Sequence, residues 1–271
     1  MLKKSFLTIV TTLLLLSPAA LATAGEIGLQ VTPEQIDIGL NFKGSTLEIA
    51  GNVPPGSDVC LKVESPPGTV ALNRKGKVGP FWMTVDHVQA ENVPKIYEVL
   101  STRPLEEIPQ KAREQMEVGP GYSYLKEHAR VLRKQEESKE VLSPAEAGDY
   151  LNGLFEIYEK KAFYLVDAGA LQNENGRFHA SVSIPAAIPP GKTKITAYAI
   201  SGDRVVATGE FPLQVNSVGL VNWVRSEATA NGPFYGLIAV VVALLVGLVT
   251  GTLFNSLGRS RKGLEADSGA H

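Results

Sequence analysis

The side chains best suited to chemistry lie in two neighbouring stretches, and their types support binding more than catalysis. The stretch "PKIYEVLSTRPL" (94–105) carries Arg103, whose guanidinium could hold a small anion or a partner's carboxylate in a bidentate fork. Trp82, in "FWMTVDHV", and Tyr97 could flank such a ligand or partner contact. In the alternative interpretation, which we favour, both aromatic rings fill the core and Arg103 satisfies carbonyls where a strand turns into a helix.

The sequence contains no recognisable residue pattern for metal binding or for catalysis. The histidines are not at ligand spacing and have no neighbouring cysteine; they are His87, His128, His179 and His271. The single cysteine, Cys60, alternates with apolar residues in "DVCLKV", which predicts a packed thiol, with an intermolecular bridge as the alternative. No Gly-x-Ser-x-Gly, His-Glu-x-x-His, phosphate-loop or dinucleotide motif occurs. We therefore expect a protein that is not an enzyme and uses no metal or cofactor.

Composition excludes one further class of partner. The chain has 271 residues and a formal net charge of −2, which gives no electrostatic reason to bind nucleic acid. Hydrophobic residues make up 44% of the chain, enough for most of it to fold. The 26 glycines and 17 prolines favour a turn-rich fold built from strands.

Residues 1–24 are typical of a signal peptide. Lys3 and Lys4 precede an apolar core, and the segment 22–24 (Ala-Thr-Ala) forms a small-x-small cleavage site. The mature chain would then begin near Gly25. An uncleaved membrane anchor is the alternative, which the short apolar core disfavours.

A second apolar run, residues 234–254, predicts a transmembrane helix. It contains no charged residue and is long enough to cross the ~30 Å hydrocarbon core of a bilayer. Arg259 and Arg261 follow it, so the positive-inside rule places the C-terminus in the cytoplasm. The chain would be a single-pass protein of the bacterial inner membrane with a periplasmic body.

Gly247 and Gly251 stand four residues apart within this run. Small residues at that spacing let two membrane helices approach closely. They form a candidate helix-packing face, through which the chain could assemble as a homo-oligomer.

The body alternates between strand-like and helix-like zones. Period-two alternation bounded by Gly, Pro or Asn predicts strands before residue 104 and again after residue 170, with a tight hairpin at 201–203 (Ser-Gly-Asp). Between them lies a charge-rich zone whose best helix begins at "SPAE", where Ser143 is the N-cap and Glu146 closes a capping box.

We therefore predict a mainly β protein: an immunoglobulin-like β-sandwich with a helical insertion, plus one C-terminal transmembrane helix. Two small β domains are the alternative. The predicted segments are the signal peptide (1–24), the first strands (25–103), the helical insertion (104–165), the last strands (166–216), a juxtamembrane linker (217–233), the transmembrane helix (234–254) and a cytoplasmic tail (255–271).

The sequence resembles the putative transmembrane protein family first described from alphaproteobacteria. The likeness rests on "GPFWMTV", "VPKIYEVLSTRPL", "FHASVSIPAAIPPGKTKITAYAISGDRVVATGEFPLQV" and "PFYGLIAVVVALLVGL", in that order. The resemblance implies a signal peptide, a periplasmic body and one C-terminal membrane helix. It also implies an accessory role beside a permease of the sulfite/sulfonate-exporter type, because genes of the family are associated with such permeases.

The last predicted hairpin also looks like that of the periplasmic copper-binding sandwich proteins. Their copper-binding histidine is expected just after the Gly-Asp pair, where this chain has Arg204. The predicted mature N-terminus, Gly25-Glu26, lacks histidine as well. The shape could be shared, but the residues do not supply the metal site.

Two functions follow from these observations. The first is a non-enzymatic, membrane-anchored periplasmic accessory protein that assists or assembles with an inner-membrane partner such as a permease. The second is a periplasmic module that binds or senses a small anion through Arg103.

Overall fold

The computed structural model describes residues 25–134, 139–230 and 232–262, and these fall into two compact units. The first unit contains residues up to 35 and residues 44–214, and the second contains residues 36–43 and those from 215 onward. The predicted signal peptide (1–24) and the end of the predicted cytoplasmic tail (263–271) lie outside the described residues.

The described residues form fifteen strands. They are β1 (Gly25–Glu26), β2 (Leu29–Thr32), β3 (Gln35–Ile38), β4 (Gly44–Asn52), β5 (Asp58–Glu64), β6 (Pro67–Val78), β7 (Phe81–Pro94), β8 (Tyr97–Ser101), β9 (Arg130–Lys134), β10 (Lys139–Val141), β11 (Tyr164–Ala168), β12 (Gln172–Glu174), β13 (Arg177–Pro185), β14 (Gly191–Ser201) and β15 (Arg204–Ser217).

Five α-helices accompany these strands in the described part of the chain. They are α1 (Gln110–Met116), α2 (Ser123–His128), α3 (Pro144–Lys160), α4 (Gly219–Ala230) and α5 (Gly232–Lys262), and a short 3₁₀ turn (Pro120–Tyr122) precedes α2. The protein is thus mainly β with one long C-terminal helix, as the sequence predicts.

The strands of the first unit form three sheets. The largest has the order β1-β15-β14-β5-β8-β11, and the other two have the orders β10-β9-β7-β6 and β12-β13-β4-β2. Strands from before and after the helical zone pair directly, β4 with β13 and β5 with β14. The largest sheet also contains two parallel pairs, β1 with β15 and β8 with β11. The immunoglobulin-like arrangement stays a prediction.

Side-chain alternation explains why these segments form half-buried strands. In β13 the residues Phe178, Ala180, Val182 and Ile184 are buried and their neighbours are exposed, because successive side chains of a strand point to opposite faces. Strand β5 is buried on both faces, since it lies between β14 and β8 in the middle of its sheet. The predicted hairpin at 201–203 joins β14 to β15, and Gly202 takes a positive φ of 64° there.

The start of helix α3 matches the prediction from the sequence. The Ser143 hydroxyl accepts a hydrogen bond from the Glu146 backbone N–H, and Pro144 occupies the first turn. The Ser143 hydroxyl also donates to the Glu146 carboxylate at 3.1 Å. The first of these contacts satisfies one of the free N–H groups at the start of the helix. The apolar face of α3 buries Leu151, Leu154, Phe155 and Tyr158.

One part of the predicted helical insertion is wrong in its secondary structure. The charge-rich segment after α2 forms strands β9 and β10, and β9 pairs with β7 so that Ala90 lies opposite Val131. Val131 and Leu132 are both buried. Mixed charges and good helix formers suggested a helix, but the burial of these two side chains against β7 and α3 outweighs a local propensity of a few tenths of a kcal/mol per residue.

The second unit contains β3, α4 and α5. Strand β3 pairs with β15, and the Val218 N–H donates to the Ile38 carbonyl at 3.0 Å. Among the described residues one helical stretch, Gly232–Asn255, is long and apolar enough to cross a membrane, with a mean hydropathy of 2.7. It contains the predicted span 234–254. Its large apolar side chains are exposed, as a helix surrounded by lipid requires.

Candidate functional site

Arg103 lies at the corner that follows β8, where its charge is already paired. Its guanidinium forms an ion pair of 3.1 Å with the Asp58 carboxylate at the start of β5. The neighbouring Thr102 hydroxyl accepts from the Val59 N–H at 3.1 Å, and the Ser101 hydroxyl donates to the Arg103 carbonyl. The corner is therefore bound to the adjacent strand by side-chain and backbone contacts. This geometry fits the structural interpretation of Arg103.

Tyr97 is buried in a cluster of aromatic rings. Its ring meets Tyr122 edge-on at 6.1 Å and Tyr164 at 5.8 Å between centroids. Phe155 of α3 contacts both of those tyrosines. Burial is the main cause that raises the pKa of Tyr97 above its ordinary value. The cluster joins the largest sheet to α3, so Tyr97 fills the core as the structural interpretation expects.

Trp82 is not a core residue, and this corrects the prediction that its ring is packed inside. It lies near the turn between β6 and β7, opposite Lys77, and its side chain is 74% exposed. Twelve residues of strand separate it from Pro94 at the other end of β7, which corresponds to roughly 40 Å. The structure therefore does not bring Trp82 together with Tyr97 and Arg103. Tyr97 and Arg103 are themselves six residues apart along β8 and its corner.

A polar pocket of about 410 Å³ opens beside β5 and α2. Glu64 and Glu117 line it, and both carboxylates hold the ammonium of Lys62, at 3.4 and 3.3 Å. Lys62 is only 2% exposed, so these contacts compensate a buried charge. Lys194, also on the wall, pairs with Glu210 at 3.2 Å. The charges of this pocket mostly stabilise each other, which leaves it a weak candidate for a ligand.

The residues that close the same pocket are held in unusual conformations. Asn92 and Glu117 are non-glycine residues with positive φ, 61° and 58°. The Asn92 amide donates to the His128 carbonyl at 3.0 Å, and the His128 ring stacks on Tyr124 with centroids 4.0 Å apart. Burial and the carboxylates of Glu117 and Glu64 raise the pKa of Tyr124. Glu117 is the C-cap of α1, where its N–H donates to the Arg113 and Glu114 carbonyls, so both backbone conformations are accompanied by contacts within the chain.

The larger candidate is an apolar groove between strand β6 and helix α3, which we call the β6–α3 groove. Its volume is about 700 Å³. Residues 70–74 of β6 form one wall, and the other is formed by Asp149, Tyr150, Gly153, Leu154, Ile157, Tyr158 and Lys161 of α3 and its end. Within the described residues β6 pairs only with β7. One row of its backbone N–H and C=O groups therefore has no strand partner within the described residues.

A network of side chains fixes the position of α3 over this sheet. The Asp86 carboxylate of β7 accepts from the Tyr150 hydroxyl at 2.6 Å and pairs with Arg133 of β9 at 3.1 Å. The hydrogen bond from Tyr150 is the main cause that lowers the pKa of Asp86, followed by the contacts with Arg133. The Arg74 guanidinium lies 6.0 Å from the centre of the Tyr150 ring. These contacts tie α3 to β6 and β7 beside the groove.

Gly153 gives the groove space in the middle of α3. A β-carbon added at this glycine would meet no atom within 4 Å. Glycine in the interior of a helix costs roughly 0.8–1 kcal/mol relative to alanine, so its position on the groove wall has a stability cost that packing does not explain. A small residue there allows a ligand backbone to approach the helix closely.

The groove was not predicted from the sequence, although two signals point to it. The sequence predicts strands before residue 104 and a helix that begins at Ser143, and β6 and α3 agree with these predictions. Ile157 lies beyond the apolar face of α3 and is 48% exposed, and Gly153 interrupts an otherwise good helix. Neither signal reveals that β6 is an edge strand, because edge position depends on which distant segments pair.

Other reactive groups are structural. Cys60 is free and buried, and burial raises the pKa of its thiol to about 12, so the thiolate that reacts is scarce. Across residues 25–134, 139–230 and 232–262, no group of three or more His, Cys, Asp or Glu residues stands close enough to hold a metal ion. Gly247 and Gly251 lie within α5, and a side chain added at either would meet no atom within 4 Å.

Comparison with known proteins gives one match. A family model described as "Putative transmembrane protein (Alph_Pro_TM)" matches residues 26–256. This range includes the β-rich body and the apolar part of α5. No curated protein and no solved structure matches the chain.

Proposed function

Because the chain belongs to the putative transmembrane protein family whose model covers residues 26–256, we propose that it is a non-enzymatic, membrane-anchored accessory protein that assembles with an integral membrane partner. The body would lie in the periplasm of a bacterial inner membrane and the end of α5 in the cytoplasm. The resemblance to this family implies a permease of the sulfite/sulfonate-exporter type as the class of partner.

The observation that carries this proposal is the β6–α3 groove. An edge strand beside a helix can accept an extended peptide as an additional strand, in which backbone hydrogen bonds supply affinity and the helix supplies pockets for alternate side chains. β6 has twelve residues and an edge of that length is normally covered or blunted, because it pairs readily with other chains. Leu154 and Tyr158 line the helical wall and would pack against such a peptide.

The charges near the groove favour an acidic peptide over a second copy of this chain. The residues that line the groove include two cations, Arg74 and Lys161, and one carboxylate, Asp149. Two β6 strands paired in parallel and in register would place the cations at positions 74, 75 and 77 of both copies beside each other, and like charges across a strand pair are destabilising. An extended acidic segment of the membrane partner avoids this repulsion.

Blocking the groove tests the proposal. In Gly153→Trp the indole is placed to occupy the space beside β6, because Gly153 lines the groove and a β-carbon added there meets no atom within 4 Å. We expect the tagged full-length wild type, purified in mild detergent, to retain a membrane protein that Gly153→Trp does not retain. A photo-crosslinking residue at Ile157 should link to the same protein.

Gly148→Trp is the matched control. This glycine lies on the same helix and also has open space around it, but it does not line the groove. Gly153→Ala checks the fold, since it should raise the free energy of unfolding by up to about 1 kcal/mol. Recovery of the wild-type chain alone, or equal loss of the partner from both tryptophan variants, would contradict assembly through the groove.

A further inference from the structure

The end of the hairpin formed by β6 and β7, which we call the hairpin tip (residues 75–85), is an exposed apolar surface that the proposed function does not use. Its large apolar side chains are half to three-quarters exposed: Val78 51%, Phe81 68%, Trp82 74%, Met83 51% and Val85 49%. Gly79 turns the chain with a φ of 60° before Pro80. Several exposed apolar side chains that adjoin one another mark an interaction site.

Strand register shows that apolar side chains surround the tip on both faces. Val78 lies opposite Phe81, and Gly76 lies opposite Met83, whose side chain shares that face. Val85 covers Gly76, because its methyl groups are the nearest atoms to a side chain added at that glycine. Trp82 lies on the opposite face, because successive side chains of a strand alternate. A flat partner would cover one face only, whereas lipid chains would surround both.

Basic side chains lie beside and behind the apolar end. Lys77 is opposite Trp82, and Lys75 is opposite Thr84, to which its ammonium donates at 2.7 Å. From the Val78–Phe81 pair to the Lys75–Thr84 pair is three residues of strand, or about 10 Å. Amphipathic segments that lie in a bilayer interface are buried to about that depth, and lysine stems of this length keep their charge at the headgroups.

The charge of the tip favours an anionic lipid surface. Residues 75–85 contain two lysines and no carboxylate. The first acidic residue, Asp86, is bound by Arg133 and Tyr150. Tryptophan is also the residue that most favours the boundary between hydrocarbon and headgroups.

The hairpin tip belongs to the same chain as a membrane helix, so a weak affinity of the tip for lipid is enough to keep it at the bilayer. The same chain carries the span Gly232–Asn255, so a bilayer is always present at a high effective concentration around the body. A few apolar side chains would bind lipid only marginally as a free protein, and a second anchoring signal makes such binding stable.

We propose that the hairpin tip is a second membrane contact, which inserts Phe81, Trp82 and Met83 into the interface of a bilayer that contains anionic lipid. This contact would hold the body at the membrane surface in one orientation, and it does not depend on a protein partner.

Trp82 itself is the reporter for the test. The chain has two tryptophans, so the full-length Trp223→Phe variant carries Trp82 alone. It is reconstituted in vesicles of phosphatidylcholine and phosphatidylglycerol, with or without bromine on the acyl chains. We expect brominated lipid to reduce Trp82 fluorescence about twofold or more, and aqueous iodide to have little effect. Lys75→Gln together with Lys77→Gln should lower the quenching when phosphatidylglycerol is present.

A tryptophan elsewhere on the body provides the matched control. Lys160 of α3 is 72% exposed, so Lys160→Trp in a chain with Trp82→Phe and Trp223→Phe should respond to iodide and not to brominated lipid. Full access of iodide to Trp82 in the vesicles would overturn the proposal. The proposal would also be overturned if Trp82 were protected from iodide in native membranes but not quenched by brominated lipid in the pure-lipid vesicles. The tip would then contact a protein.

Discussion

At the scale of single residues, Glu98 is a buried ionisable group whose environment links stability to pH. It lies in β8 opposite Val63 of β5 and Leu165 of β11 and is 2% exposed. Burial disfavours the charged carboxylate and raises the pKa of Glu98 to about 8. The folded state therefore holds this proton more tightly than the unfolded state does, which links the stability of the body to pH.

We expect the free energy of unfolding to fall as the pH rises from about 4.5 to about 8. Below this window Glu98 is protonated in both states, and above it both are ionised, so the loss is confined between the two pKa values. Glu98→Gln removes the titration and should exceed the wild type in stability by roughly 3 kcal/mol at pH 7, with little difference at pH 4.5. Denaturant unfolding in detergent at several pH values measures this difference. A constant difference between the two proteins across this range would contradict it.

Substitutions of Arg103 and its partner test whether this corner is structural or binds an anion. Its ion pair with Asp58 is about one-third exposed on both sides, and such pairs contribute roughly 0.2–1 kcal/mol. We expect Arg103→Ala and Asp58→Asn each to lower the free energy of unfolding by about that amount, and the double variant to lose less than the sum of the two.

Sulfate is the probe for the alternative function of Arg103. The Nε atom of this residue is buried without a hydrogen-bond partner, which leaves one donor that an anion could use. If Arg103 serves only the corner, sulfate at equal ionic strength will change the melting temperature of wild type and Arg103→Ala equally. Stabilisation of the wild type alone would establish anion binding and contradict the structural interpretation.

At the scale of elements, local signals determine the predictions that succeed. The capping contacts of Ser143 and the hairpin at 201–203 depend on neighbouring residues, so the sequence predicts them. Pairing between distant segments is different. Val131 and Leu132 form a strand because β7 is beside them, and Trp82 is exposed because its hairpin extends beyond the residues that pack on it. Neither fact can be obtained from composition or periodicity.

Helix α5 carries a prediction about self-association. Gly247 and Gly251 leave open space on its surface, so a second helix could approach closely along that side. We expect energy transfer between donor-labelled and acceptor-labelled copies of the full chain in vesicles, and we expect Gly247→Leu with Gly251→Leu to reduce it to the level of random proximity. Thr252→Leu, which adds bulk on a different side of the same helix, tests whether any added bulk has this effect.

The labels can be attached at Lys160→Cys. The native Cys60 is buried with a pKa of about 12 and should not react. Equal energy transfer in the wild type and in the double-leucine variant would show that the two glycines do not form a packing face.

At the scale of the whole molecule, the candidate contacts share one property. The β6–α3 groove, the hairpin tip and the glycines of α5 are all surfaces that need a partner or lipid to be covered. The aromatic cluster and the polar pocket satisfy their contacts within the body, and the charge of Arg103 is paired there with Asp58. This division supports a protein whose role is attachment, because the groups with shifted pKa values serve the fold and the uncovered surfaces are apolar.

The orientation of the chain in the membrane decides which compartment these surfaces face. Arg259, Arg261 and Lys262 follow the span Gly232–Asn255, and basic residues close to a span stay on the cytoplasmic side. We therefore expect a membrane-impermeant maleimide to label Lys160→Cys in intact spheroplasts and to label Ser268→Cys only after permeabilisation. The wild-type chain, whose single cysteine is Cys60, is the negative control. Its buried thiol should react neither in intact nor in permeabilised spheroplasts. Labelling of Ser268→Cys alone in intact spheroplasts would reverse the orientation and place the groove in the cytoplasm, where a periplasmic loop of a permease could not reach it.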